Sequence, residues 1–292
     1  MDEIRQLSIR IETLHAVTYF ADESRDAARD AGLRGFWMGY FGFRAAPLAA
    51  AAGDGTVGAD VVTDAFYNFA PAMVERAIPD AWTFASPADL LAARASSAAA
   101  ALRRLAPGDI DAARAAAPLL AAAATAATDE RRPLYAANRA LDIPDDPVAA
   151  LWQVCTTMRE QRGDAHVNAL RDAGVSGLDA HLLLAADDGI PDEVLRNSRG
   201  WSEAEWEHAR ASLIGRGLLD DSGEASTISA AGREVRAEVE RATDRAAFEC
   251  WRELGTDAMA TVAAALQGAA ATIARSGLIP FPNPMGLPSA AR

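Results

Sequence analysis

The chain has 292 residues, half of them hydrophobic, which is enough for one large domain or two ordinary domains with a sizeable core. Its formal net charge of −13 argues against non-specific binding to nucleic acids and against adhesion to anionic membranes, because both need positive charge on the protein. Alanine dominates the hydrophobic residues and every basic residue is an arginine, so we expect a mainly helical fold.

No leader, membrane span or metal motif is predicted. The first residues, MDEIRQLSIRIETLH, are charged from the second position, unlike a signal peptide. The alanine-rich run over residues 112–128 contains Arg114 and Pro118 and is too short for a membrane span. Cys155 and Cys250 belong to no CxxC or Cys/His pair with metal spacing, so we expect two reduced cysteines. We therefore expect a cytoplasmic protein without membrane contact, and no motif identifies a cofactor.

Residues 1–174 are predicted to form a helical domain. Residues 35–48, GFWMGYFGFRAAPL, are apolar on every side, which is typical of a buried helix. A long helix is expected over residues 146–173, and Gly163 either kinks it or splits it, with Asp164 capping the second piece. The first helix shows one apolar face at three- and four-residue spacing, formed by Ile4, Leu7, Ile11, Leu14 and Val17.

Residues 175–292 are predicted to form a winged-helix domain followed by C-terminal helices and a proline-rich tail. The stretch WSEAEWEHARASLIGRG begins with a capping box, in which Ser202 caps the helix and Glu205 stands three residues later. The next stretch, LLDDSGEASTISAAG, indicates a strand, a turn at Ser222 and Gly223, and a second strand. The fold class is therefore mainly α, with a multi-helix N-terminal domain and a small two-stranded β wing.

Residues 213–240, LIGRGLLDDSGEASTISAAGREVRAEVE, resemble part of the MarR-type regulators. In those proteins the recognition helix passes through RGLL into the wing, and the second wing strand ends in a T-x-x-G stretch that starts the next helix. The corresponding stretch is ISAAGREV, residues 228–235. The resemblance implies a dimer that binds a small molecule as well as DNA.

Five further stretches span most of the chain: LHAVTYFADESRDA (14–27), GLRGFWMGYFGFRAAPL (32–48), FYNFAPAMVERAIPDAW (66–82), REQRGDAHVNAL (159–170) and PFPNPMGLP (280–288). With these stretches the chain resembles an actinobacterial family of helix-turn-helix proteins. This second resemblance implies architecture and no particular chemistry.

The charge of the winged-helix region bears on DNA binding. Residues 191–249 contain thirteen acidic residues and eight arginines, a net charge of −5. Contacts to bases and phosphates need basic, amide or hydroxyl side chains on the recognition helix. That helix has few such groups and three acids: Ser202, Arg210, Ser212 and Arg216 against Glu203, Glu205 and Glu207. The charge favours a winged helix kept for packing or dimerisation over one that binds DNA.

The histidines give one candidate site in the first helix. His15 and Tyr19 are four residues apart and share a helix face, where they can bind a polar ligand, transfer protons or hold a metal. The alternative is a pair at the edge of the core whose polar tips bond to nearby backbone. His181 and His208 are predicted at the surface or at its boundary.

A second candidate site lies along one face of the long helix. Arginine forks bind carboxylates and phosphates, so an arginine-bearing stripe favours a pocket for an acidic or aromatic molecule. The alternative is a ladder of ion pairs between helices, with Glu160 and Asp164 on the neighbouring face. The stripe has three- and four-residue spacing and consists of Trp152, Cys155, Arg159, Arg162 and His166.

A third candidate site is an aromatic concentration in two short segments. Core packing explains such a cluster, but aromatic side chains also line apolar ligand cavities between helices. Arg44 and Asn68 would then supply polar contacts to the ligand. The aromatic residues are Phe36, Trp37, Tyr40, Phe41, Phe43, Phe66, Tyr67 and Phe69.

These observations favour a small-molecule-binding protein with a regulator-like winged helix, for which DNA is a possible but disfavoured partner and a homodimer is possible. The alternative is an enzyme of specialised metabolism that uses acid–base, metal or haem chemistry in the helical half. If a site exists, we expect His15, Tyr19, Arg162 and His166 to converge on one cavity.

Overall fold

Helices form most of the first part of the chain. The computed structural model describes residues 2–53, 55–221, 227–283 and 285–287. A 3-10 turn covers Asp80–Thr83. The helices of this part are α1 (Asp2–His15), α2 (Val17–Phe20), α3 (Asp22–Asp30), α4 (Gly35–Ala51), α5 (Ala59–Ala65), α6 (Pro71–Glu75), α7 (Pro87–Leu105), α8 (Ile110–Arg114), α9 (Ala117–Ala126), α10 (Pro133–Arg139) and α11 (Pro147–Asp172).

The second part contains a two-stranded antiparallel sheet between helices. Leu219 pairs with Ile228, and Asp220 pairs with Thr227. The mainly α fold with a small β wing is therefore confirmed, while the predicted wing turn at 222–223 lies outside the described residues. The elements are α12 (Gly177–Asp188), α13 (Asp192–Arg199), α14 (Glu203–Gly215), β1 (Leu219–Asp220), β2 (Thr227–Ile228), α15 (Ala230–Glu249) and α16 (Gly255–Arg275).

Helix α11 is the central element of residues 1–174, the helical half of the chain. It packs against α1, α7, α9, α10 and α15. Asp146 caps it by accepting hydrogen bonds from the amides of Val148 and Ala149. The helix is continuous through Gly163, so the alternative in which Gly163 splits it and Asp164 caps the second piece is wrong, while the kink stays a prediction. Glycine at 163 instead leaves room for the side chain of Arg159, because a Cβ at 163 would lie 3.3 Å from Nη1 of Arg159.

Helices α12, α13 and α14 precede the sheet in the order of a winged helix. The predicted capping box of α14 is present, with Ser202 and Glu205 bonding each other's backbone amides. Gly200 ends α13 with φ at 76°, where other residues are strained, and a Cβ there would lie 2.8 Å from Met73. The turn between α13 and α14 therefore packs directly against the helical half.

The helices that follow the wing return to the first part of the chain. Helix α15 packs along α11, and α16 packs along α1. Trp251 and Leu266 belong to the same apolar cluster as Leu7 and Trp152, whereas α12 and α14 surround a separate cluster. The division into residues 1–174 and 175–292 stays a prediction.

Within the described residues, α16 is long and apolar enough by length and composition alone to cross a membrane. A core helix passes the same test. Val262, Leu266 and Ile273 of α16 are fully buried in the cluster that α1 shares, so one face of α16 packs against the core.

The start of α12 gives a stability prediction. A Cβ on Gly177 would lie 2.1 Å from the carbonyl oxygen of Tyr67, so Gly177→Ala should force α12 away from the helical half. We expect a loss of roughly 1–3 kcal/mol in the free energy of unfolding, measured by urea denaturation. Gly215→Ala is the control, because a Cβ at that helical glycine meets nothing within 4 Å. Equal stabilities of the two variants would contradict the close packing at Gly177.

Candidate functional site

A cavity of about 730 Å³ lies between the helical half and the winged-helix region. Side chains of α1, α2, α4 and α11 form one side, and side chains of α12, α13 and α15 form another. Residues 285–287, near the C-terminal end of the described chain, also line it. A volume of this size is typical of a site for a drug-sized molecule.

The structure brings most of the predicted site residues to this cavity, including two from the wall formed by residues 65–69. His15 and Trp152 do not line it and are buried behind it. The predicted residues that line the cavity are Tyr19, Tyr40, Arg44, Tyr67, Asn68, Arg159, Arg162 and His166.

An aromatic wall covers one end of the cavity. The ring of Tyr40 lies 5.5 Å from that of Phe69 and 5.2 Å from that of Tyr19, measured between centroids. Phe41 and Phe43, which belonged to the same predicted cluster, are buried in the core and do not line the cavity. Part of the aromatic concentration therefore packs in the core, and part of it lines the cavity.

Tyr67 and Asn68 connect the helical half to the winged-helix region. The Tyr67 hydroxyl donates to the carbonyl of Val175, 3.0 Å away, and the Trp201 indole donates to the carbonyl of Asn68, 3.1 Å away. These two bonds attach the residues just before α12 and α14 to the cavity wall.

A buried ion pair joins α4 to α11. Nη2 of Arg44 donates to both carboxylate oxygens of Glu160, at 2.7 and 2.9 Å, and Nη1 donates to the Tyr40 hydroxyl at 2.9 Å. Burial alone would raise the pKa of Glu160, but the charges of Arg44 and Arg159 outweigh it and bring that pKa to about 2. Glu160 is therefore ionised at neutral pH.

Arg159 and Arg162 form ion pairs between helices and line the cavity at the same time. Nε of Arg159 donates to Glu12 on α1 at 2.9 Å, and Nη1 donates to Glu160 at 2.8 Å. Nη1 of Arg162 donates to Asp244 on α15 at 2.7 Å. The stripe therefore forms ion pairs between helices and also lines a cavity, while the binding of an acidic or aromatic molecule there stays a prediction. Its first two members, Trp152 and Cys155, are buried in the core.

His15, Tyr19 and Thr156 form a chain of hydrogen bonds behind the cavity. The Thr156 hydroxyl donates to the carbonyl of Trp152, so it accepts from Nδ1 of His15 at 2.9 Å. Nε2 of His15 is then an acceptor, and the Tyr19 hydroxyl donates to it at 2.6 Å. Burial lowers the pKa of His15 and raises the pKa of Tyr19, so both are neutral. One end of the chain is Tyr19, which lines the cavity, and the other end is the carbonyl of Trp152 in the core.

His166 and His181 line the side of the cavity that faces the winged-helix region. Thr243 donates to the carbonyl of Val239 at 2.7 Å and therefore accepts from Nδ1 of His166 at 3.2 Å. His181 is 3% exposed, lines the cavity and has no hydrogen-bond partner at Nε2. Burial, with a smaller effect of the Arg199 charge, lowers the pKa of His181 to about 3. The expectation of a position at the surface or at its boundary is wrong for His181, which is buried, whereas His208 is exposed.

Asp164 is a buried carboxyl group on the cavity wall. It accepts a hydrogen bond from the amide of Tyr135 at 2.9 Å. Burial raises its pKa to about 7, because the single backbone bond and the more distant arginines compensate only part of the lost hydration.

The exposed face of α14 is acidic, and its arginines are already paired. Glu203, Glu205 and Glu207 are exposed. Arg210 bonds to Asp192 and, at 3.2 Å, to Glu207. Arg216 donates to Asp179 at 3.1 Å.

The sequence of the chain matches a helix-turn-helix family over residues 4–280. The chain belongs to this helix-turn-helix family. Comparisons with curated proteins and with solved structures gave no match. The family supports a regulatory role of the DNA-binding type as a possibility, and the match spans the helical half as well as α12–α14.

Among the described residues of this helix-turn-helix protein, no group of three or more His, Cys, Asp or Glu is placed to hold a metal ion. Both cysteines are free and buried, and burial raises the pKa of the Cys155 thiol to about 12. Neither thiol is therefore activated as a nucleophile.

Asp164, His181 and Arg199 are among the cavity residues that were not predicted as site residues. Asp164 was expected to cap a helix, His181 was expected at or near the surface, and Arg199 was not considered. A signal exists for His181: it stands three residues after Leu178 and one before Leu182 on the apolar face of α12. Asp164 and Arg199 have no comparable local signal, because their burial depends on distant elements.

The buried carboxyl gives a pH prediction for the helix-turn-helix protein. A carboxyl whose pKa is higher in the folded than in the unfolded state costs stability as the pH rises towards the folded value. Asp164→Asn keeps an oxygen for the Tyr135 amide and removes the charge. We expect its stability relative to the unaltered protein to increase by roughly 2–3 kcal/mol from pH 5 to pH 8, by urea denaturation.

The control is Asp172→Asn, an exposed aspartate on the same helix, which should show no such increase. A stability difference for Asp164→Asn that is constant from pH 5 to pH 8 would show that Asp164 does not titrate in this range.

Proposed function

We propose that this helix-turn-helix protein binds a small organic molecule in the cavity and that α12–α14 respond to its presence. The observation that carries the proposal is the composition of the wall. The same cavity is lined by Tyr40 and Arg44 of the helical half and by Ala180, His181 and Arg199 of the helix-turn-helix segment. A bound molecule would touch both parts at once, so its binding energy would depend on their relative position.

The resemblance of residues 213–240 to MarR-type regulators supports a regulatory role, since those proteins sense small molecules. A regulator of this kind acts in the cytoplasm, and we propose that location. The MarR-type resemblance, the actinobacterial relationship and the homodimer stay predictions.

The enzymatic alternative has less support at the His15–Tyr19 pair. That pair is neutral, and its hydrogen-bond chain runs from Tyr19 at the cavity wall to the carbonyl of Trp152 in the core, which has no proton to exchange. A general acid or base works best with a pKa near the working pH, and the pKa values of His15 and Tyr19 both move away from it.

An uncharged probe tests the binding site without assuming the charge of the natural ligand. N-phenyl-1-naphthylamine becomes fluorescent in apolar sites, and we expect saturable binding to the full chain. Ala180→Phe places a ring in the cavity and should weaken binding at least about tenfold. Ala211→Phe, on the exposed face of α14, should leave the affinity unchanged. Binding that Ala180→Phe does not weaken would place the probe elsewhere and count against the proposal.

We further propose that the helix-turn-helix segment does not bind DNA non-specifically. Fluorescence anisotropy with a labelled random-sequence duplex at physiological salt should give a dissociation constant weaker than about 10⁻⁴ M, because the exposed acids of α14 repel phosphates. Glu203→Arg combined with Glu207→Arg should bring binding into the measurable range if α14 is otherwise shaped for a groove. Micromolar binding by the unaltered protein would contradict the proposal.

A further inference from the structure

The lining of the cavity differs in charge from the chain as a whole. The chain contains 28 arginines and 41 acidic residues, but the cavity wall carries six arginines and only five carboxyl groups. One of the five is Asp164, which burial holds about half protonated near neutral pH. The arginines are Arg5, Arg44, Arg159, Arg162, Arg199 and Arg236.

Two of these guanidinium groups stand over neighbouring rings of the aromatic wall. The guanidinium carbon of Arg44 lies 4.4 Å from the centroid of Phe66, and that of Arg199 lies 4.5 Å from the centroid of Phe69. The two rings are 6.3 Å apart. Burial lowers the pKa of Arg199, and the charge of Arg44 lowers it further, so the two cations are within electrostatic reach of each other.

We propose that the ligand is an organic acid with an aromatic or conjugated body, whose carboxylate lies between Arg44 and Arg199 and whose ring packs against Tyr40, Phe66 and Phe69. This inference rests on the proposed binding function and names its ligand class. An anion at that position reduces the repulsion between two buried guanidinium groups, and the aromatic side chains cover a flat ring. The Tyr40 hydroxyl accepts from Arg44 and keeps its own proton for the ligand carboxylate.

A single negative charge fits better than two. Glu160 binds Arg44 directly, and Asp164 lines the same cavity. A dianion such as a phosphate monoester would be repelled by both carboxyl groups, because charges interact strongly where water is excluded. We therefore assign the ligand as a carboxylate.

Isothermal titration of the full chain at pH 7 with matched probes tests the assignment. The probes are benzoate and 2-naphthoate, each compared with its uncharged carboxamide, and 2-naphthyl phosphate. At least one carboxylate should bind about tenfold or more tightly than its carboxamide, since a charge-assisted bond is lost in the amide. A carboxamide that binds as tightly as its acid, or a phosphate that binds more tightly, would overturn the ligand class. This comparison uses the unaltered protein and does not depend on the folding of a variant.

Arg199→Gln adds a residue-level test. It should reduce the preference for the carboxylate to within about threefold, while the affinity for the carboxamide stays within about twofold. Arg196→Gln is the matched control, because Arg196 is on the same helix but does not line the cavity. An unchanged preference in Arg199→Gln would overturn the placement of the carboxylate.

A protein that binds no aromatic molecule in the cavity would give a different titration result. If neither the acids nor the amides bind at millimolar concentration, the cavity is not an open site for aromatic molecules. The proposed function and the ligand class then fall together. If the amides bind and the acids bind no better, the binding function stands and only the ligand class falls.

Discussion

The buried charge network of Glu12, Arg44, Arg159 and Glu160 determines how the helical half is assembled. It links α1, α4 and α11 through hydrogen bonds of 2.7–2.9 Å. Charges removed from water are costly unless each has a well-placed partner, and removing one member of such a pair typically costs about 3–5 kcal/mol. Positions of the three helices that separate these groups are therefore strongly disfavoured. The network specifies one arrangement of α4 against α11, and that arrangement leaves the cavity beside it.

The network also determines the chemistry available in the cavity. Its arginines contribute to keeping His15 neutral, and the threonine behind His15 fixes which ring nitrogen carries the proton. The same device recurs at His166, where Thr243 bonds to the carbonyl of Val239 four residues earlier in α15. In both places a helical threonine uses its only hydrogen on the backbone and must accept from the histidine. Both imidazoles are consequently uncharged although arginines lie nearby; His15 is buried behind the cavity and His166 is on its wall.

Sequence periodicity predicted which residues share a face of a helix. It did not predict which of those residues lie in the core and which line the cavity. The stripe on α11 has constant spacing, yet Trp152 lies in the core and Arg162 lies at the cavity, because α11 runs from one to the other. The partners of the arginines were beyond local reasoning: Arg159 bonds to Glu12, 147 positions away, and Arg162 bonds to Asp244, 82 positions away. Elements with strong local signals, such as the capping box of α14, were predicted with their residues. Groups whose state depends on several distant elements, such as Asp164, were not.

The position of α15 suggests how a ligand would act on the helix-turn-helix segment. Its first half carries Val239, which belongs to the apolar cluster of α12 and α14, and its second half carries Asp244, which binds Arg162 of α11 and Arg5 of α1. Glu240 lies between these two sets of contacts and lines the cavity. Any movement of α11 on ligand binding would pass to α15 through the bond between Arg162 and Asp244, without contact between the ligand and α14. The arginines of α14 are committed to Asp179, Asp192 and Glu207. A change in α15 would therefore reach α14 through the position of the whole segment rather than by freeing cations for phosphate, which fits a response by protein packing better than one by DNA contact.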